Sequence, residues 1–128
     1  MLNSKNICLI FAAGFIAPGV LGFIPNPIVS PDGLFVVNVA HNLVHLLTGA
    51  AFLLGGLVFT RYARNFLQVI GLVYVIVSIA GFLTPGDHLL GFIHINTADK
   101  WLHVGLATLL LYTGFAMGNK QLDEPVTS

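Results

Sequence analysis

Four runs of about twenty mostly apolar residues follow one another in this chain, the length a helix needs to cross the hydrocarbon core of a bilayer. They occupy residues 6–24, 39–60, 65–83 and 99–118. Backbone groups in lipid must find their partners within the chain, so each run is read as a helix rather than a lone strand. Barrel strands are excluded by length, since those are about 10 residues long with alternating polarity. A soluble bundle is excluded by composition. Charged residues make up 8% of the 128, against about a quarter in a soluble domain, and helices without polar faces have nothing to offer water. The expected fold is an all-α integral membrane four-helix bundle.

The few cations set an orientation, because Lys and Arg accumulate on the cytoplasmic side. Lys5, Arg61, Arg64 and Lys120 fall on one side of the four runs, and Lys100 alone falls on the other. Both termini are therefore expected in the cytoplasm of a bacterial inner membrane. The tight RYAR turn at 61–64 makes the second and third runs antiparallel neighbours, and the longer loops at 25–38 and 84–98 face outward. Lys5 and the run after it resemble a signal peptide, but no A-x-A site follows, so the segment is expected to stay as a span. Pro18 within it predicts a kink. The tail at 119–128 is short and polar and is expected to be disordered.

Several functions are excluded at this stage. Five Lys plus Arg balance five Asp plus Glu, which leaves no basic patch for nucleic acid. A single cysteine, Cys8, rules out an internal disulfide or a CxxC motif. Neither a phosphate loop nor a GxSxG elbow occurs. The chain reads as non-enzymatic, with the lipid bilayer as its one evident partner; a second copy or another membrane protein is open.

The second outer loop repeats the first. GLFVVNVAHNLVH (33–45) aligns with GFIHINTADKWLH (91–103) at a shift of 58, matching Gly33 with Gly91, Asn38 with Asn96, Ala40 with Ala98 and His45 with His103. GFIPNP (22–27) resembles GFLTPG (81–86) with a one-residue gap. The domain is read as one four-span unit, 1–118, made of two tandem transmembrane hairpins, 1–60 and 61–118, related by a pseudo-twofold axis along the membrane normal.

This repeat brings the ionisable residues together. His41 and His45 are four apart and share one helix face, as do Asp99 and His103. The alignment sets Asp99 opposite His41 and His103 opposite His45. Three uses compete. The first, taken as leading, is a structural or interaction role in which His, Asp and Asn pair inside the bundle and fix its packing. A second is a divalent metal site on His41, His45, Asp99 and His103, or a haem held by His45 and His103. The third is a small transporter or proton pathway, against which stands the absence of His, Asp and Glu from the inner half of every run. His88 and His94 are read as solvated loop residues. Asn38 and Asn96 are read as helix caps, Asp99 as a partner of the helix dipole or of Lys100, Trp101 as an interfacial anchor, and Ser78 as a partner for the Tyr74 hydroxyl. Gly114 and Gly118 form a helix-contact GxxxG.

With GFIP (22–25), LFVVN (34–38), HNLVHLLTG (41–49), GLVY (71–74) and NTADKWLH (96–103) in view, the chain resembles a family of small bacterial membrane proteins known as domain of unknown function 4383. The resemblance covers about residues 8–116. It implies four spans and a membrane location, and no activity, substrate or cofactor. Where the family usually has asparagine after the aspartate of the last motif, this chain has Lys100.

Overall fold

A computed structural model describes residues 2–117; Gly118 and the tail at 119–128 lie outside the described residues. The first helix, α1, spans Ser4–Leu21 and runs unbroken through Pro18. Its start is capped by Asn3, whose side chain accepts from the Asn6 N–H at 2.8 Å. Helix α2 spans Val39–Leu53 and widens into a π turn at Leu54–Val58. A 3-10 turn at Thr60–Tyr62 leads directly into α3, Ala63–Leu83, so the RYAR segment is the tight corner its length requires. Helix α4 spans Thr97–Leu111 and also widens into a π turn, Tyr112–Ala116.

Each outer loop folds into a small pair of two-residue strands. Strands β1 (Val29–Ser30) and β2 (Phe35–Val36) pair in parallel. Strands β3 (His88–Leu89) and β4 (Ile93–His94) pair antiparallel.

Glycines let the helices approach. A Cβ at Gly19 would lie 3.0 Å from Leu46 Cγ, and one at Gly49 would lie 3.2 Å from the Ala12 carbonyl oxygen. One at Gly56 would lie 3.2 Å from that of Lys5. The partners descend α1 as the positions climb α2, so the two helices run antiparallel. The same order holds between α3 and α4, where Gly81 faces Lys100, Gly71 faces Leu110 and Gly114 faces Gln68. Small residues at such contacts matter because lipid supplies no hydrophobic drive between helices, and close packing must do the work.

The core is aromatic and aliphatic: Cys8, Phe15, Phe52, Leu67 and Leu110 are all but inaccessible. Phe15 stacks on Phe52 with ring centroids 5.7 Å apart and meets Tyr74 edge-on at 5.2 Å. Outside it, large apolar side chains such as Leu47, Ile76 and Leu83 are two-thirds or more exposed. A surface so apolar suits lipid, not water.

Among the described residues, three helical stretches are long and apolar enough to cross a membrane: Ser4–Leu21, Val39–Val58 and Thr60–Leu83. The fourth, expected from the sequence at 99–118, is not among them. Asp99, Lys100 and His103 crowd its first two turns and dilute the apolar run.

Candidate metal centre

The outer ends of α2 and α4 are fixed by a pair of crossed asparagines. Asn38 caps α2, its side-chain oxygen accepting from the His41 N–H at 3.0 Å. The same amide donates to the Phe92 carbonyl at 2.8 Å and accepts from the His94 N–H at 3.2 Å. Asn96 caps α4 by accepting from the Asp99 N–H at 3.0 Å, and donates across to the Leu34 carbonyl at 2.8 Å. Each cap thus grips its own helix and the opposite loop. Both were legible as caps; their second grip was not, since nothing local encodes it.

Behind these caps three histidines meet. His41, His45 and His103 are all buried, and each offers a ring nitrogen within 4.8 Å of those of the other two. His41 Nδ1 lies 2.6 Å from the His94 carbonyl oxygen. A carbonyl only accepts, so the ring proton sits on Nδ1 and Nε2 is left with its lone pair. That lone pair points at His45 Nε2, 3.0 Å away. His45 Nδ1 is buried and has no hydrogen-bond partner. The His103 ring stacks on His41 at 5.8 Å and sits 6.2 Å from His45 and 5.8 Å from Tyr74. Among the described residues it makes no hydrogen bond.

Asp99 stands apart from this group. Its carboxylate accepts from the Asn96 N–H at 3.2 Å, completing a capping box. With His41, Asn42 and His45 it lines a cavity of about 100 Å³. A second cavity, about 190 Å³, lies on the other side of the cluster against Tyr74 and His103. Both fall below the roughly 300 Å³ at which pockets for drug-sized ligands begin.

The chemistry of the donor set suits a first-row divalent ion. Zinc binds imidazole nitrogen at about 2.0–2.1 Å, so two nitrogens on one tetrahedral ion lie about 3.3 Å apart. The His41–His45 pair, at 3.0 Å, is already near that spacing, and the 4.8 Å within which all three nitrogens lie exceeds it by about 1.5 Å. The His41 Nδ1 bond to a backbone carbonyl is the usual outer contact of a metal-bound histidine, because it fixes the tautomer and aims Nε2.

Other expectations resolve here. The Tyr74 hydroxyl pairs with Thr48 at 3.2 Å, not with Ser78. Ser78 donates instead to the carbonyl of Tyr74 at 2.8 Å, the local bond that a helical serine finds one turn back. His94 is more than a solvated residue. It is half-buried, its carbonyl holds His41, and its own Nδ1 lies 3.3 Å from the Val36 carbonyl oxygen. A signal was present: at the 58-residue shift of the sequence alignment His94 falls opposite Val36, a histidine against an apolar residue. His88 is exposed, as expected, and stacks edge-on against His94. Trp101 packs on Phe82 at 5.1 Å. Lys100 turns to the Gly86 carbonyl rather than to Asp99.

Fold and site together define a class: a small helical protein with a lipid-compatible exterior and a buried histidine cluster under two interlocked outer loops. A family model described as Domain of unknown function (DUF4383) matches residues 5–116, and the chain belongs to that family. No match is found among curated proteins or among solved structures.

Proposed function

We propose that this is a four-span protein of the bacterial inner membrane that holds one divalent first-row metal ion on His41, His45 and His103. The observation that carries the reading is the convergence of a ring nitrogen from each of three buried histidines within 4.8 Å, beside which His45 Nδ1 has no partner. Pairing within the cluster accounts for less. It supplies one bond between His41 and His45 on the same helix and none to His103. An ion would give all three lone pairs a partner, and three protein ligands would leave a fourth position for a non-protein ligand. A structural role coexists with this one, since the crossed asparagines bind the two outer loops whatever the histidines hold. Transport finds less support, because the ionisable cluster sits at one end of the bundle.

The tandem-hairpin reading of 1–60 and 61–118 is part of the proposal, as is the cytoplasmic placing of both termini. What supports the repeat is the spacing of the elements. The second and fourth helices, their π turns, and strands β2 and β4 each recur after 58 residues. Asn38 donates to Phe92 and Asn96 to Leu34, the same pair with the halves exchanged.

Metal analysis of the full-length protein in lipid nanodiscs tests the site. One equivalent of zinc, or of cobalt with tetrahedral d–d absorption after exchange, is expected. His45→Ala with His103→Ala should lose it while far-UV helicity is kept. A fully helical wild type that carries no metal and takes up neither ion would sink the proposal.

A further inference from the structure

A separate cavity of about 370 Å³ opens at the outer end of the first half, walled by residues 22–26, Ser30, Pro31, Asp32 and the start of α2. That volume lies within the range of small-molecule sites. Asn42 lines it. The residue is only 2% exposed, yet its amide makes no hydrogen bond among the described residues. The amide is not sealed away, since the one buried side-chain polar atom without a partner among the described residues is His45 Nδ1; it opens on the cavity, where a group that enters can pair with it. Asp32 brings a carboxylate to the same wall and Phe23 an aromatic ring.

Lys100 indicates what that group is. Asn42 and Lys100 are each the fourth residue after the cap of their helix, Asn38 and Asn96. Asn42 packs against Gly22 at the end of α1, and Lys100 packs against Gly81 near the end of α3, its Cγ 3.7 Å from where a Cβ would stand. The lysine stem then runs outward and its ammonium donates to the Gly86 carbonyl at 3.3 Å. In the second half, then, an alkylammonium of the chain's own lies where the first half has an open cavity.

We propose that the cavity beside Asn42 binds an alkylammonium group from outside the chain, in the place that Lys100 fills in the other half. The Asn42 oxygen accepts one N–H, Asp32 balances the charge, and the Phe23 ring offers a cation–π face. Ile24, Pro25 and Val39 surround the alkyl part. This rests on the tandem relation proposed above and not on the metal site. At the membrane surface such a group reaches the cavity either as a phosphatidylethanolamine headgroup or as a soluble amine.

The test is calorimetric titration of full-length protein in phosphatidylglycerol nanodiscs with n-butylammonium, and with n-butanol as the neutral control. Saturable binding of one butylammonium and none of butanol is expected. Asn42→Lys should abolish binding with the fold kept, because the new side chain fills the cavity. Asp32→Ala, at the exposed rim, should weaken it. Lys100→Asn should open a second site. Nanodiscs containing phosphatidylethanolamine separate the sources: loss of butylammonium binding there assigns the headgroup, and undiminished binding assigns a soluble amine. No saturable amine binding to the wild type, or binding unchanged in both Asn42→Lys and Asp32→Ala, would overturn the proposal. One site in Lys100→Asn would refute the tandem relation while leaving the Asn42 site in place. Stripping metal with a chelator should leave every titration unchanged.

Discussion

Replacing Asn38 by alanine should be among the most damaging single changes at the outer surface. The side chain makes three bonds, to the His41 N–H at 3.0 Å, the Phe92 carbonyl at 2.8 Å and the His94 N–H at 3.2 Å. Loss of a helix cap costs about 1 kcal/mol, and each further bond contributes about 0.5–1.5 kcal/mol. Asn38→Ala should therefore cost about 2–4 kcal/mol, beyond what a simple cap is worth. Asn38→Asp separates the parts. It keeps an oxygen for the His41 and His94 N–H groups and loses only the donation to Phe92, so its cost should be about 1 kcal/mol. The assay is unfolding of the full-length protein by SDS in mixed micelles, followed by far-UV circular dichroism. If alanine costs no more than about 1 kcal/mol, or aspartate is as harmful as alanine, the crossed grip is not holding the loops together.

Other substitutions follow from the same geometry. Gly49→Ala should destabilise by about 1–3 kcal/mol through overpacking, because its Cβ would strike Ile16 and lie 3.2 Å from the Ala12 carbonyl; Gly105→Ala, with open space around it, should cost nothing in the same unfolding assay. Asp99→Asn should keep wild-type metal content by plasma mass spectrometry, since Asp99 lies outside the histidine group; a metal-free variant would return the carboxylate to the ligand set. In a Cys8→Ser background, an impermeant maleimide applied to whole cells should label cysteines placed at Asp32 and Asp87 and spare one at Arg61. The reverse pattern would invert the orientation.

Much of the fold was legible because it rests on local rules. Apolar length marked three helices and a fourth that is weaker, and Asn38 and Asn96 marked the starts of α2 and α4. The convergence of His41, His45 and His103 was legible too, from spacings of four and one alignment. Asp99 lies outside the converging histidines, because three residues away the Asn96 N–H draws its carboxylate into a capping box. Tertiary bonds left no such trace. The grip of His94 on His41 and of Thr48 on Tyr74 joins residues 53 and 26 positions apart, and the π turns at Leu54–Val58 and Tyr112–Ala116 have only glycines to hint at them.

On the tandem-hairpin proposal, one place where the two halves differ is the histidine cluster. His41 packs against the ring of His103, and the residue that answers to His41 in the other half is Asp99. A pair of identical two-helix chains would carry the same residue at both places, so every side chain at the centre would come twice. Joining the halves in one chain lifts that constraint. One copy is free to keep an imidazole for the cluster while the other gives its position to a carboxylate that closes a helix end.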